Sequence, residues 1–283
     1  MGQDTKIAWA THTFNIAWGC ARVSEGCLAC YAEAWAKRTG HAVWGTDAPR
    51  RTFGDKHWRE PLKWNRDAAA LRRRVRVFSS SMADVFEDHP TIAAERRKLW
   101  ELISLTPWLD WLLLTKRSHM IGESVPPGWL IEWPRNVWLG VTAENQTRYD
   151  ERIGDLLAMP APVRFLSVEP LVGPLRLDHP FGEIQWVIAG CESGPRRRSA
   201  PVELFRDVKA DCDRLGAAFF MKQLDVEGTV TDHPPLFPPD LRVRDFPLVA
   251  SASARRRIVW GPEGERLSCW TPGRFADDED GVE

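Results

Sequence analysis

No stretch of the sequence approaches the roughly 18–20 consecutive apolar residues of a membrane-spanning helix. The N-terminus also lacks a basic segment followed by an apolar one, so no secretory leader is expected and the protein is expected in the cytoplasm, with no membrane partner. Charge of one sign is missing too: 38 Lys and Arg stand against 39 Asp and Glu, for a net charge of −1. The balance hides basic clusters at Arg50-Arg51, Arg72-Arg73-Arg74 with Arg76, Arg196-Arg197-Arg198 and Arg255-Arg256-Arg257, offset by the acidic run Asp277-Asp278-Glu279-Asp280. Each run alone reads as a solvated face, but four arginine clusters keep a phosphate-bearing partner in view. Tyrosine is nearly absent, with two residues against 15 tryptophans. Most of these indoles are expected in the core, since tryptophan buries a large area. An apolar content of 43% in 283 residues fits one large globular domain, or one domain with an appendage.

Cysteine is scarce, six residues in all, yet three of them fall within the stretch Trp18-Gly-Cys20-Ala-Arg-Val-Ser-Glu-Gly-Cys27-Leu-Ala-Cys30-Tyr31. In a reducing compartment such clustering reads as metal ligation rather than as disulfides. Three ligands differ from four in a way that matters. A closed structural zinc site has four protein ligands, and a cubane iron–sulfur cluster also takes four. Three thiolates leave one metal position open, and an open position is where chemistry occurs. Cys191, Cys212 and Cys269 are scattered and read as ordinary thiols.

Strands and helices alternate from this loop to about residue 223. Strands are expected at Phe14–Trp18, Arg76–Ser79, Trp111–Thr115, Asn136–Val141, Val163–Val168, Gln185–Ala189 and Ala218–Met221. Helices are expected at Tyr31–Arg38, Thr91–Leu105, Thr147–Leu157 and Val202–Leu215, with residues 41–74 an irregular excursion plus a short basic helix. The fold class is therefore α/β, a parallel sheet curled into a partial β/α barrel over residues 1–223. Residues 224–283 read as a C-terminal extension, partly irregular and ending in the acidic tail. Within it, Arg257–Trp260 enters a hairpin at Gly261-Pro-Glu-Gly264.

Polar residues collect after the strands, where a parallel barrel forms its site. Ser79-Ser80-Ser81-Met82-Ala83-Asp84 follows the second strand, Thr115-Lys116-Arg117 the third and Thr142-Ala143-Glu144-Asn145 the fourth. Ser167-Val168-Glu169-Pro170 follows the fifth, Gly190-Cys-Glu192-Ser193-Gly194 the sixth, and Lys222-Gln223 the seventh. Glu144, Glu169 and Glu192 occupy equivalent places, and carboxylates are rarely left unpaired at a barrel mouth. Lys116 and Arg117 either neutralise them or bind a substrate carboxylate or phosphate. Gly190 permits close approach of a ligand.

These motifs carry a resemblance. From Trp18-Gly-Cys20 through Cys30-Tyr-Ala-Glu33, with Ser81-Met-Ala-Asp84, Leu114-Thr-Lys-Arg117, Trp138-Leu-Gly-Val-Thr-Ala-Glu-Asn145, Phe165-Leu-Ser-Val-Glu-Pro170, Trp186 to Gly194 and Phe219-Phe-Met-Lys-Gln223, the chain resembles a phage- and prophage-associated family of unassigned function. That family is marked by the three-cysteine motif and grouped with radical S-adenosylmethionine (SAM) barrels. The resemblance implies a 4Fe-4S cluster on Cys20, Cys27 and Cys30, with SAM on its open iron and reductive cleavage of SAM to a radical that attacks a substrate. It implies an aromatic role near the adenine for Tyr31, and an electron-donor protein as partner. SAM's ribose is then expected on Glu144 and Glu169, and its nucleoside end beside Gly190, Glu192 and Ser193. Lys116, Arg117 and Lys222 are expected to face an anionic substrate, a nucleic acid or nucleotide. The chain departs from the commonest radical-SAM pattern: six residues, not three, separate the first two cysteines, and Ser79-Ser80-Ser81 stands where Gly-Gly-Glu is usual.

Two other readings use the same residues. One is a non-catalytic zinc module, with the three cysteines joined by His12 or His41. The other is a magnesium-dependent nuclease built on Asp84, Glu144 and Glu169.

Overall fold

The computed structural model describes residues 2–194 and 197–248, with the backbone of 258–260 and 266–268. Arg196, Arg255–Arg257, Gly261–Gly264, Cys269 and the acidic run 277–280 lie outside the described residues. Two compact units result, Met1–Pro247 and Leu248–Glu283. In the second, Ile258–Trp260 pairs antiparallel with Arg266–Ser268.

The first unit is an eight-stranded sheet in sequential order: β1 (His12–Thr13), β2 (Val75–Ser79), β3 (Leu109–Thr115), β4 (Val137–Thr142), β5 (Arg164–Val168), β6 (Trp186–Gly190), β7 (Ala218–Val226) and β8 (Thr229–Thr231). Neighbours from β1 to β7 are parallel, and β8 folds back antiparallel on β7. Because β1 and β8 are its two edges, the sheet is an open, partial barrel. Helices α1 (Tyr31–Arg38), α2 (Asp55–Ala70), α3 (Pro90–Leu105), α4 (Ile121–Ser124), α5 (Gln146–Ala158) and α6 (Val202–Leu215) fill the connections. None of the described helices is long and apolar enough to cross a membrane.

Successive strand residues face opposite sides of a sheet, and the sequence uses the two sides differently. Val77, Leu113, Leu139, Leu166, Val187 and Phe219 point outward into one cluster with helix residues such as Leu99, Leu156, Phe205 and Val208. The alternate residues Phe78, Leu112, Trp138, Phe165, Trp186 and Phe220 form an inner cluster, closed by Trp9 from the N-terminal segment. Phe246 joins this cluster, stacks against Trp186 and Phe220, and lies under the Arg76 guanidinium. It thereby spans from β7 to β2 across the open side. Gly140, an inward position on β4, leaves room for the Phe165 ring, since a β-carbon there would lie 2.5 Å from Cζ and 2.6 Å from Cδ2. Gly140→Ala is expected to destabilise the protein by about 1–3 kcal/mol through overpacking. A lowered urea midpoint, relieved by adding Phe165→Leu, is the check.

Several element boundaries differ from expectation. The first strand lies at His12–Thr13 rather than Phe14–Trp18, because after Phe14 the backbone leaves the ladder. There Ile16 N donates to Ser80 Oγ (3.3 Å), and the Asn15 amide turns to Met82 N (2.7 Å). The excursion at 41–74 contains a 16-residue helix, α2, with Trp64 and Ala68 buried. The boundary expected at Gln223 falls inside β7. Glu227 and Gly228, both at positive φ (50° and 82°), turn the chain into β8 as a hairpin turn requires. Phe237 and Leu241 then bury in the main core, so residues 224–247 belong to the first unit.

Candidate active site

The inward positions change character along each strand. Toward the C-terminal ends, Phe78 gives way to Ser80, Leu114 to Lys116, Trp138 to Thr142, Phe165 to Ser167 and Glu169, and Phe220 to Lys222. These polar residues line a cavity of about 760 Å³ that Cys20, Cys27 and Cys30 line as well. The cysteine loop and the strand ends therefore share one rim, as expected of a parallel barrel.

Deep in this wall, Glu169 is paired with Lys222, with Nζ 3.0 Å from Oε1. That oxygen is buried yet makes no hydrogen bond, so the contact is an ion pair without hydrogen-bond alignment and the oxygen keeps acceptor capacity. Gly190 makes room for it, because a β-carbon at Gly190 would stand 2.7 Å from Oε1. Lys116 Nζ donates to Thr142 Oγ1 (3.2 Å). Tyr31 donates its hydroxyl to Ser81 O (2.9 Å) while its ring remains 51% exposed at the mouth.

The cysteine loop is held from three sides. Beneath it, Ala21 N donates to Glu87 Oε1 (2.8 Å), and Ala21 O accepts from Arg117 Nη2 (2.9 Å). Arg117 also bonds Asp84 Oδ2 (3.0 Å) and Glu87 Oε1 (3.1 Å), and Arg50 bonds Glu87 through Nε (2.8 Å) and Nη2 (2.9 Å). Thr115 Oγ1 completes the group on Asp84 (2.8 Å). On the second side, Ser24 Oγ and Arg152 Nη1 each donate to Glu144 at 2.5 Å. Glu25 accepts from Arg148 Nε (3.0 Å), which holds its carboxyl down at about 2. Gly26 lies flat on Glu144, where a β-carbon would meet Cγ at 2.6 Å. On the third side, Arg198 bonds Glu192 and reaches Glu25 O (2.9 Å). Burial pushes the Glu144 and Glu192 carboxyls up. For Glu144 the Lys116 and Arg152 charges outweigh it, and for Glu192 the Arg198 hydrogen bonds do, leaving both below the ordinary carboxylate value.

Not every expected residue reaches the cavity as expected. Glu144 is fully buried and occupied with Ser24 and Arg152, so it secures the loop rather than offering acceptors to a ligand. Glu192 lines the cavity, but its carboxylate is committed to Arg198. Ser193 lines the cavity. Arg117 lines the cavity together with Lys116 and Lys222, and its guanidinium also ties the loop to two carboxylates. Four of the eight described arginines of the basic clusters are ion-paired within the fold: Arg50 with Glu87, Arg74 with Asp110, Arg197 with Asp225 and Arg198 with Glu192. Glu87, Arg50, Arg152 and Arg198 are the residues that sequence reasoning missed as supports of the loop. Glu87 and Arg198 reach the loop from 66 and 173 residues away, and Arg50 reaches Glu87 from 37, so no spacing announces them.

None of Cys20, Cys27 and Cys30 forms a disulfide, and each is half-buried. Cys20 donates its thiol to Ala21 O (3.3 Å) and accepts from Arg117 Nη1 (3.6 Å), over the buried ion cluster. Burial pushes this thiol up to about 12. Cys30 stands immediately before α1. Among the described residues no group of three His, Cys, Asp or Glu side chains is gathered closely enough to hold a metal ion. The three cysteines line one cavity, with the Cys20 thiol turned toward Arg117 and Ala21. The donor set still fits a thiophilic cluster: three free thiols on one loop, facing one cavity. Neither alternative set is assembled. His12 accepts from Asp4 N (3.1 Å) and stacks on Trp64, and His41 lies beside Arg51 (3.3 Å). Asp84 and Glu144 are each bound to an arginine.

The chain belongs to the family described as "Protein of unknown function (DUF5131)", whose model matches residues 4–234. No curated protein matches it. Several solved structures of spore photoproduct lyase are similar to it. A double mutant with bound AdoMet and dinucleoside spore photoproduct is 10% identical, with a TM-score of 0.44 over 76% of this chain and 64% of that one. A single mutant with the dinucleoside spore photoproduct is also 10% identical, with a TM-score of 0.46 over the same shares. A tyrosine-to-phenylalanine mutant is 11% identical, with a TM-score of 0.45 over 94% of this chain and 70% of that one. The chain thus spans 64% of the length of the first two.

Proposed function

We propose that this DUF5131 protein is a radical-SAM-like iron–sulfur enzyme that modifies an anionic substrate, a nucleic acid or nucleotide, in the cytoplasm. The observation that carries the reading is one cavity lined by three free thiols, by a buried carboxylate oxygen without a hydrogen-bond partner, and by two lysines. Cys20, Cys27 and Cys30 would hold a 4Fe-4S cluster. Together with SAM, such a cluster would supply one-electron reduction and, through it, hydrogen abstraction.

The chain's own residues do the rest. Arg117, Glu87, Glu144 and Arg198 hold the cysteine loop over the cavity. The Glu169 carboxylate, ion-paired with Lys222, accepts a ribose hydroxyl. Tyr31 covers the adenine side, and Gly190, Glu192 and Ser193 bound the nucleoside end. Lys116 attracts a substrate phosphate or carboxylate, with Thr142 orienting its ammonium group. A reduced electron-donor protein is the partner this chemistry requires.

The test is titration of SAM into anaerobically reconstituted protein. Glu169→Ala is expected to weaken SAM binding roughly 10- to 100-fold, as loss of hydrogen bonds to a charged acceptor does. Glu144→Ala is expected to act through loss of the cluster instead. Wild-type protein that carries iron and sulfide yet binds no SAM, or unchanged affinity in Glu169→Ala, overturns the assignment.

A further inference from the structure

At the mouth of the cavity, α1 and the turn that precedes it expose an unusually apolar surface. Leu28 is 60% exposed, Tyr31 51% and Trp35 39%. Tyr31 and Trp35 are four residues apart on the helix, so they share a face and lie about 6 Å apart along its axis. A groove of about 800 Å³ runs along this face past Arg38 and Lys37. It joins the cavity where Cys30, Tyr31, Met82 and Ser193 line both.

Charge identifies the occupant. Arg22, Lys37 and Arg38 line the groove, and Glu33 is the one carboxylate among its lining residues. Glu33 holds Arg22 (2.8 Å) and Lys37 (2.7 Å), leaving the groove a net charge of two positive. The Arg38 guanidinium lies over the Trp35 ring at 4.7 Å. Aromatic faces open to solvent, interleaved with cations, are the combination that binds single-stranded nucleic acid. Bases stack on the rings, and the cations follow the phosphates. A duplex keeps its base faces covered, and an acidic peptide uses the cations but not the rings.

We propose that this groove binds a single-stranded nucleic acid segment and leads the adjoining nucleotide into the cavity. The inference rests on the reading of the cavity as the place where an anionic substrate is modified, and it names the class of that substrate. Trp35 carries a base, while Arg38, Lys37 and Arg22 carry phosphates.

The test is fluorescence anisotropy with a labelled oligo-thymidine or oligo-uridine strand of about 12 nucleotides. It uses the full-length, metal-free protein under reducing conditions, so it does not depend on cluster or SAM. The strand is expected to bind, with log affinity falling against log salt at a slope of about −2, for three neutralised phosphates. Trp35→Ala is expected to weaken binding about tenfold, with most of the loss restored in Trp35→Phe. Arg38→Ala, at an exposed position, is the second variant; it is expected to weaken binding and flatten the salt slope by about 0.7. Absence of binding at 50 mM salt, equal binding by wild type and both alanine variants, or tighter binding of the matching duplex overturns the proposal. So does competition by polyglutamate at equal charge, which identifies an acidic protein as the occupant. Strand binding that survives while SAM titration fails leaves the groove standing and removes the cavity chemistry.

Discussion

Replacing any one of Cys20, Cys27 or Cys30 with alanine is expected to drop bound iron from about four atoms per chain to near zero, with loss of the iron–sulfur absorbance. The effect is large because a cubane held by three thiolates has no protein ligand to spare. The folding cost is small by comparison, since all three side chains are half-buried on a loop fixed by other residues. Cys212→Ala is the control: that thiol is buried within α6, among the core residues on the outer face of the sheet. The measurement is anaerobic reconstitution followed by iron, sulfide and zinc counts and an absorption spectrum. Iron retained in the single alanine variants, or zinc bound by wild type in place of iron, would falsify the cluster assignment.

The second large effect concerns the ion cluster beneath the loop. Arg117→Ala leaves Asp84 without its arginine and removes one of the two arginines on Glu87, in a region where both carboxylates are at most 6% exposed. Breaking a buried pair in this way costs about 3–5 kcal/mol, mostly from the charge left behind rather than from the attraction lost. Ala21 O also loses its donor, so the loop around Cys20 loosens at the same time. A large fall in the urea midpoint is expected, together with iron retention poorer than the stability loss alone explains. Arg117→Lys is expected to recover only part of the stability. A single ammonium group cannot reach Asp84, Glu87 and Ala21 O at once, whereas the planar guanidinium does. An unchanged midpoint in Arg117→Ala would remove the buried cluster from the account of how the loop is held.

Much of this protein was legible before any fold was known, and the reason is locality. Strand and helix positions follow from hydrophobic period, and the order of elements yields a parallel, curled sheet with its polar residues at one rim. Lys116 continues the inward series after Leu114 and reaches the cavity. Which carboxylate stays available was not legible. Glu144, Glu169 and Glu192 occupy equivalent places after three strands, yet of the three only Glu169 keeps a buried oxygen without a hydrogen bond. Tertiary packing decided this by what it set opposite each one: Arg152 and Ser24 beside Glu144, Arg198 beside Glu192, and a lysine beside Glu169. The same holds for the cysteine loop, whose Glu25 carbonyl is bound by Arg198 from 173 residues away. Periodicity is a property of neighbours along the chain. Charge pairing is a property of neighbours in space, so the sequence by itself determined the rim, and the fold decided which of its groups remain available for chemistry.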